Sequence, residues 1–424
     1  MERIVNAEIV AVGSELLTPL RIDTNSLFIT ERLNEIGIEV QSKTIVGDDR
    51  ATLHAVLVQA LGRANLVVTT GGLGPTDDDI TRDVAAAVLN LPVDIDDGLV
   101  GRIRARFESR GLRMPEINMR QARVPRGATI LDNPNGTAPG LWMEHGGSTL
   151  VLLPGPPREM QSMLDTVVRE RLLPMAGSRR LYRRTLRVTG RTESHTEEAV
   201  QAAYARWAQG VAPISTTILA ALGQIELHLT AQAPDPESAR LALDRATTDA
   251  RQLLGLDLYS TDGRTLEQVV GDLLRENDQR IAIAESCTGG LLASRLTDVP
   301  GSSEYLERGV VAYSNAAKME WLGVAGDMIA EYGAVSEPVA IAMARGVRDR
   351  ARVDVGVGVT GIAGPGGGSE RKPVGTVVIA VARRSAEPDA RVRTFRFLGE
   401  RTLVKSQATQ AALDIVRRWL LETR

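Results

Sequence analysis

A serine and a cysteine lie where an apolar run of the sequence ends. Residues 284–290 read Ala-Glu-Ser-Cys-Thr-Gly-Gly, directly after the strand-like residues 281–284. Such a strand-to-helix turn exposes a side chain at the carboxyl end of a sheet, where ligands of α/β folds bind. A hydroxyl is a weak nucleophile that needs a neighbouring base. The pattern predicts a nucleophile here, with Ser286 and Cys287 as the alternatives.

The base for this nucleophile must be a lysine or a carboxylate, because all 4 histidines lie in the first 230 residues. Lys318 follows a predicted strand at 309–313. A partly buried lysine with a lowered pKa can deprotonate a serine. The alternative interpretation makes Ser286 a helix cap and Lys318 a solvated surface residue.

A glycine-rich loop follows the strand predicted at 353–359. Six of the residues 360–369 are glycine or proline, so backbone amides can approach a phosphate closely. Arg401 precedes a predicted helix and could hold a phosphate with two hydrogen bonds. The alternatives are a flexible connection and an exposed arginine.

A second glycine-rich loop occupies residues 69–81, Thr-Thr-Gly-Gly-Leu-Gly-Pro-Thr-Asp-Asp-Asp-Ile-Thr. It joins a strand to a helix predicted from Asp78 to Leu89, and the helix start favours anions. Three adjacent aspartates make sense beside a phosphate if a divalent cation is shared, and oxygen ligands suit magnesium or manganese. The alternative is a charged first helical turn.

Alternating strand and helix periods predict the elements that must position these loops. Residues 1–175 and 261–424 are two separate three-layer α/β domains. Residues 176–260 have a β-α-β-β-α order, which is that of a small KH-like α+β module. The module lacks the GxxG clamp of RNA-binding versions, so no nucleic-acid partner is predicted.

The amino-acid composition excludes several classes of protein. The chain has 424 residues, 43% hydrophobic and 24% charged, with a net charge of −3, so disorder and a global basic field are excluded. A single cysteine allows no intrachain disulfide and indicates a reducing, cytoplasmic location. The uncharged run at 207–225 contains proline and glycines, and it predicts strand, turn and strand rather than a membrane span.

Five ordered motifs in the last domain, at 284–290, 313–318, 333–338, 361–367 and 372–376, resemble the nicotinamide mononucleotide deamidase domain of the CinA family. The resemblance implies hydrolysis of the carboxamide to nicotinate mononucleotide and ammonia, without a cofactor. It implies Ser286 as nucleophile, Lys318 as general base and Tyr313 beside them. The substrate-binding residues implied are Thr288, Gly289, Gly290, Thr360, Gly361, Gly364, Gly366, Gly367 and Arg401.

The pattern at 71–81 resembles the molybdopterin-binding fold. Together with the loops at 13–17, 23–25, 133–140 and 153–160, it resembles the amino-terminal domain of the same family. The resemblance implies cleavage of ADP-ribose to AMP and ribose 5-phosphate with a divalent cation such as magnesium. The alternative is a pterin-binding or scaffold module without pyrophosphatase activity. The predicted metal ligands are Glu15, Asp78 and Asp83. The predicted substrate-binding residues are Gly13, Glu15, Asn25, Gly71, Gly72, Gly74, Pro75, Thr76, Asn135, Gly136 and Gly155.

One departure from the family pattern concerns the loop after residues 13–17. Many members carry a glycine there, whereas this chain has Thr18-Pro19-Leu20-Arg21-Ile22. Pro19 stiffens the loop and Arg21 adds charge, so the pyrophosphate substrate or the metal requirement can differ. The expected partners are small nucleotides and a second copy of the chain, with no membrane.

Overall fold

The computed structural model describes residues 4–221, 223–384 and 386–422. The chain divides into two compact units, Met1–Tyr182 with Gln232–Ala239, and Arg183–Ala231 with Arg240–Arg424. The domain boundaries near residues 175 and 260 stay predictions.

The first unit is built from β1 (Asn6–Val12), α1 (Asn25–Glu35), β2 (Glu39–Val46), α2 (Arg50–Leu61), β3 (Leu66–Thr70), α3 (Thr81–Val88), β4 (Val93–Ile95), α4 (Asp97–Glu108), β5 (Arg123–Pro125), β6 (Thr129–Leu131), β7 (Gly140–His145), β8 (Ser148–Leu153), α5 (Pro157–Val167) and α6 (Leu173–Met175). Six strands form one sheet in the order β2-β1-β3-β8-β7-β6. Strands β2, β1, β3 and β8 are mutually parallel, whereas β7 runs antiparallel to both of its neighbours, β8 and β6.

Helices cover both faces of this sheet. Successive side chains of a strand point to opposite faces, so the continuous apolar run of β1 buries both. Ile9 packs in a core cluster with α1 and α5, and Val10 packs in another with α2 and α3. The predicted three-layer α/β architecture is confirmed for this unit.

The remaining elements lie almost entirely in the second unit: β9 (Arg180–Val188), α7 (Glu193–Trp207), β10 (Ile214–Ala221), β11 (Gln224–Ala233), α8 (Pro236–Leu254), β12 (Leu258–Ser260), α9 (Leu266–Glu276), β13 (Ile281–Glu285), α10 (Leu291–Thr297), β14 (Leu306–Val311), α11 (Asn315–Leu322), α12 (Gly326–Tyr332), α13 (Glu337–Ala351), β15 (Val355–Gly361), β16 (Thr376–Arg383), β17 (Ala390–Arg396) and α14 (Arg401–Leu421). The main sheet has the order β14-β13-β15-β16-β17, and a smaller one has the order β10-β11-β9-β12.

The main sheet of the second unit is also sandwiched between helices. One core cluster joins β13, β15 and β16 to α9 and α14, and another joins β13 to α13. The predicted β-α-β-β-α order of the middle module is present as β9-α7-β10-β11-α8. The uncharged run at 207–225 contains β10 and the start of β11, which pairs with β10 in antiparallel fashion. Within the described ranges, no helix is both long and apolar enough to cross a bilayer.

The start of α3 differs from the prediction. The helix begins at Thr81 rather than Asp78, so the three aspartates precede it. Asp79 accepts hydrogen bonds from the N–H (2.9 Å) and the hydroxyl (2.5 Å) of Thr76, which holds the chain in a turn that competes with helix. The Thr81 hydroxyl donates to the Gly71 carbonyl (2.9 Å) and fixes the helix start against the glycine loop.

Candidate active sites

The serine and lysine predicted to work together do meet in the second unit. β13 and β14 are parallel neighbours, so the turns after them lie at the same edge of the sheet. Ser286 follows β13, and Lys318 lies in α11, which begins shortly after β14. Lys318 Nζ is 3.1 Å from Ser286 Oγ. A base and a hydroxyl at this separation can exchange a proton directly.

The Lys318 amine is enclosed by protein. The residue is 1% exposed, and its Nζ donates to the carbonyls of Ala312 (2.9 Å) and Tyr313 (3.0 Å). Burial lowers the pKa of Lys318 below its ordinary value. Desolvation disfavours the charged ammonium, so the neutral amine that a base requires is easier to form.

A buried carboxylate orders the turn that carries the serine. Glu285 accepts hydrogen bonds from the N–H groups of Gly290 (3.0 Å), Leu292 (3.1 Å) and Ala293 (2.8 Å), so it caps the start of α10. The Gly289 N–H donates to the Ser286 carbonyl (3.1 Å). The backbone N–H groups that follow Thr288 in this turn are therefore already hydrogen-bonded within the protein. The prediction gave Glu285 no role, although the residue lies inside the motif.

Ser286 opens onto a cavity of about 280 Å³. Of the predicted residues, its wall contains Ser286, Tyr313, Lys318, Thr360, Gly361, Gly364, Gly366, Gly367 and Arg401, together with Cys287 and Asn315. Thr288, Gly289 and Gly290 are not in the wall, and Thr288 is fully buried. The sequence therefore predicted most of the wall but missed Asn315, the first residue of α11.

Arg401 and Thr360 fix the far side of this cavity. Arg401 donates to the Gly364 carbonyl (2.9 Å) and to the Tyr313 hydroxyl (3.4 Å), which ties the start of α14 to the glycine-rich loop. The Thr360 hydroxyl donates to the Ala334 carbonyl (2.9 Å). These contacts hold the loop in one position before any ligand arrives.

The rival nucleophile is poorly suited to the role. Cys287 is buried, and burial raises the pKa of its thiol to about 12. A thiol of that pKa remains protonated near neutral pH, and the thiolate is the reactive form. The geometry and the ionisation both favour Ser286.

The first unit carries a larger cavity, of about 580 Å³, at the carboxyl ends of its parallel strands. Of the predicted residues, its wall contains Gly13, Glu15, Asn25, Gly71, Gly72, Gly74, Asp78 and Gly155. Four predicted substrate-binding residues lie outside the wall, namely Pro75, Thr76, Asn135 and Gly136, as does the predicted metal ligand Asp83. Thr76 acts instead inside the loop, as a donor to Asp79.

Two glycines of this cavity have left-handed backbones and close neighbours. Gly71 has φ 108° and Gly72 has φ 66°. A side chain would come within 2.0 Å of the Val12 carbonyl at Gly71 and within 2.1 Å of the Thr81 hydroxyl at Gly72. Only glycine fits at both positions, so the loop can present its backbone to a ligand.

Asn25 contributes a buried acceptor to the same cavity. Its side-chain amide donates to the Thr70 hydroxyl (2.9 Å) and to the Gly155 carbonyl, and the residue is 8% exposed. Its Oδ1 atom is buried and has no hydrogen-bond partner within the described residues. A buried unpaired oxygen is costly, so this atom is suited to a ligand donor or a cation.

The three predicted metal ligands, Glu15, Asp78 and Asp83, do not all line this cavity. Asp83 lies in the first turn of α3, outside the cavity wall, and its carboxylate pairs with Arg123 (2.9 Å) and Arg50 (3.6 Å). Arg123 is 40 residues away in sequence, so no local pattern revealed this pair. Over residues 4–221, 223–384 and 386–422, no three His, Cys, Asp or Glu side chains are placed to hold a metal ion.

Glu15 and Asp78 do line the cavity, as does Asp79 of the three adjacent aspartates, and the prediction missed three further carboxylates in its wall, those of Asp23, Asp48 and Glu159. Magnesium is usually held by one or two carboxylates, waters and the substrate's phosphates, rather than by a complete protein cage. This donor set and the unpaired Asn25 oxygen therefore fit a divalent cation that a phosphate ligand shares. Asp48 could have been noticed, since it follows β2 at the same sheet edge.

Fold and sites define a two-unit α/β protein with a serine–lysine pair in one cavity and a glycine- and carboxylate-lined cavity in the other. The profile described as "CinA C-terminal domain" matches residues 263–420. The profile described as "Probable molybdopterin binding domain" matches residues 8–174.

Full-length relatives agree with both profiles. A "CinA-like protein" of Koribacter versatilis is 45% identical over 98% of this chain and 100% of its own length. One of Acidobacterium capsulatum is 44% identical over the same shares. The solved structure of a competence/damage inducible protein from Agrobacterium tumefaciens is 38% identical, covering 37% of this chain and 93% of that chain at a TM-score of 0.36. The chain belongs to the CinA family.

Proposed function

We propose that the second unit hydrolyses the carboxamide of nicotinamide mononucleotide, giving nicotinate mononucleotide and ammonia. The observation that carries the proposal is the 3.1 Å contact between Lys318 Nζ and Ser286 Oγ inside a cavity. The family resemblance of the motifs supports the choice of substrate. The charged groups of the wall suit a ligand that carries a phosphate.

In this reaction Ser286 Oγ attacks the carboxamide carbon while Lys318 takes the hydroxyl proton. The tetrahedral intermediate then collapses, the C–N bond breaks, and Lys318 gives the proton to the departing ammonia. Water attacks the resulting acyl-enzyme and releases nicotinate mononucleotide with free Ser286. The oxyanion of this intermediate requires an N–H donor, and the Gly289 amide is not free for that role, because it is already bonded to the Ser286 carbonyl.

The surroundings of Lys318 fit both of its protonation states. A neutral amine has two N–H bonds and one lone pair. The carbonyls of Ala312 and Tyr313 accept the two N–H bonds, which leaves the lone pair for the Ser286 hydroxyl. After proton transfer the ammonium has three acceptors, so neither state leaves a buried donor unpaired.

The test is ammonia release from nicotinamide mononucleotide by the purified full-length protein. We expect release that resists a chelator, disappears in Ser286→Ala and persists in Cys287→Ala. The reverse result for the two variants would assign the chemistry to the thiol. If the wild type released no ammonia, nicotinamide mononucleotide would be refuted as the substrate.

For the first unit we propose metal-assisted hydrolysis of the pyrophosphate bond of ADP-ribose to AMP and ribose 5-phosphate. Glu15 and Asp78 would hold the cation, which would supply charge stabilisation on the phosphates. The glycines at 71 and 72 present backbone to the phosphates, and Asn25 Oδ1 is free to accept from the ligand.

AMP release from ADP-ribose, measured with magnesium or manganese and with chelator, tests this activity. A pterin-binding or scaffold module would release no AMP under any of these conditions. The homodimer and the cytoplasmic location predicted from the sequence are part of the proposal, and sedimentation of the purified chain tests the former.

A further inference from the structure

The cavity of the first unit has one basic side chain in its wall. Within the described part of the chain, that wall contains six carboxylate residues and no lysine, histidine or arginine other than Arg21. Carboxylates near the surface repel a phosphate group within a few ångströms. A single arginine among them therefore marks the place where an anionic part of a ligand can lie.

Arg21 is free to take that role. The residue is exposed, and no ion pair to it is found among the described residues. Neighbouring arginines are already engaged: Arg120 with Asp77, Arg123 with Asp83, and Arg82 with the Leu73 carbonyl. A guanidinium matches two phosphate oxygens at once, so an unpaired one beside a cavity suits a diphosphate.

The loop that carries Arg21 is anchored at both ends. Thr18 donates from its hydroxyl (2.7 Å) and its N–H (3.2 Å) to the Glu15 carbonyl. Asp23 accepts from the Ser26 N–H (2.9 Å). Pro19 fixes one backbone angle between these anchors. These bonds order the backbone on both sides of Arg21, whose exposed side chain lies in the cavity wall.

We propose that Arg21 binds the diphosphate of the substrate and sets the preference of this cavity for a nucleoside diphosphate sugar over an uncharged nucleoside. The inference rests on the proposed pyrophosphatase function of the cavity and assigns its anion contact. It also gives a physical role to the residues that replace the glycine of the family pattern.

The test measures the dissociation constants of ADP-ribose and of adenosine by calorimetry, with chelator and with magnesium. Arg21→Gln should raise the dissociation constant of ADP-ribose by roughly 10-fold or more, which is the effect of losing a charged hydrogen bond. The dissociation constant of adenosine should not change. Arg21→Lys should recover part of the loss. Arg104→Gln, which removes an exposed arginine of α4, should leave both ligands unchanged.

If Arg21→Gln weakened the binding of ADP-ribose and of adenosine equally, the proposal would be overturned, because Arg21 would then have a merely structural role. Wild-type protein that binds ADP-ribose no more tightly than adenosine would overturn it too. Binding that follows the prediction without AMP release by the wild type would support Arg21 as the anion contact while refuting the pyrophosphatase function.

Discussion

The two cavities contain opposite sets of charges. Within the described residues, the wall of the Ser286 cavity includes Lys318 and Arg401 and no carboxylate. The wall of the first unit's cavity includes six carboxylate residues and Arg21. Under the proposed function the Ser286 cavity needs no metal, because nucleophile and base would both be side chains of the protein. In the second set Arg21 stands beside six carboxylates, so under the proposed function a divalent cation would supply further positive charge for the phosphates.

The two sites also differ in how firmly their groups are held. Lys318 and Glu285 are both 1% exposed and each makes three hydrogen bonds. In the other cavity, Arg21 and Asp78 belong to surface loops. Removing a buried group should therefore abolish an activity, whereas removing an exposed carboxylate should weaken one.

The largest effect is expected for Lys318→Met. This change removes the base and keeps a side chain of similar length, so deamidation should fall by about 1,000-fold, within the range for a general base. Ammonia release under saturating substrate measures it. Lys43→Met, at an exposed position of β2, is the control. A fall of less than ten-fold with an intact fold would remove Lys318 from the proton transfer.

The pH dependence of the reaction also tests the role of Lys318 as the base. Because burial lowers the pKa of Lys318 below 10.5, kcat/KM should rise with pH and level off below that value. Between the lowered pKa and 10.5 the unfolded state binds more protons than the folded state, so stability should also rise with pH.

Urea unfolding across pH 7–10, compared between wild type and Lys318→Met, measures the stability part. The difference between the two proteins should grow in favour of the wild type as pH increases. A difference that shrinks would mean that the buried lysine is stabilised as the ammonium.

A smaller effect is expected for Asp78→Asn in the other cavity. The variant should need more magnesium and cleave ADP-ribose about 10-fold more slowly, since one of several oxygen ligands loses its charge. Asp77→Asn is a close control, because Asp77 pairs with Arg120 outside the cavity wall. Equal losses in the two variants would contradict a metal role for Asp78.

The smallest effect is expected for Cys287→Ala. Burial raises the pKa of this thiol to about 12, and the proposed mechanism gives it no role, so deamidation should change by less than about three-fold. A small loss of thermal stability is expected from the cavity left in the core. Alkylation experiments should agree, with slow labelling of Cys287 at neutral pH.

Sequence reasoning succeeded where the governing interactions are local or follow from topology. The apolar runs predicted both sheets, and parallel strand ends predicted that Ser286 and Lys318 would meet. The glycines at 71 and 72 were recognised because close approach and left-handed backbone demand that residue.

Sequence reasoning failed where contacts between residues distant in the sequence determine the structure. Asp83 was predicted as a metal ligand, and the sequence did not indicate that its carboxylate pairs with Arg123. Helix α3 begins later than predicted because the Thr76 N–H donates a hydrogen bond to Asp79. The role of Glu285 depends on three amides of the following helix, which composition does not reveal. The three additional carboxylates of the first unit's cavity come from two loops and from α5, which only the folded chain brings together.

The most direct test of the account is ammonia release from nicotinamide mononucleotide by Ser286→Ala beside the wild type, both with excess chelator. The account predicts full wild-type activity in chelator and none above background in the variant, with both proteins equally folded. Wild-type release that chelator abolishes, or persistent release by Ser286→Ala, would contradict metal-free serine chemistry at the Ser286–Lys318 pair.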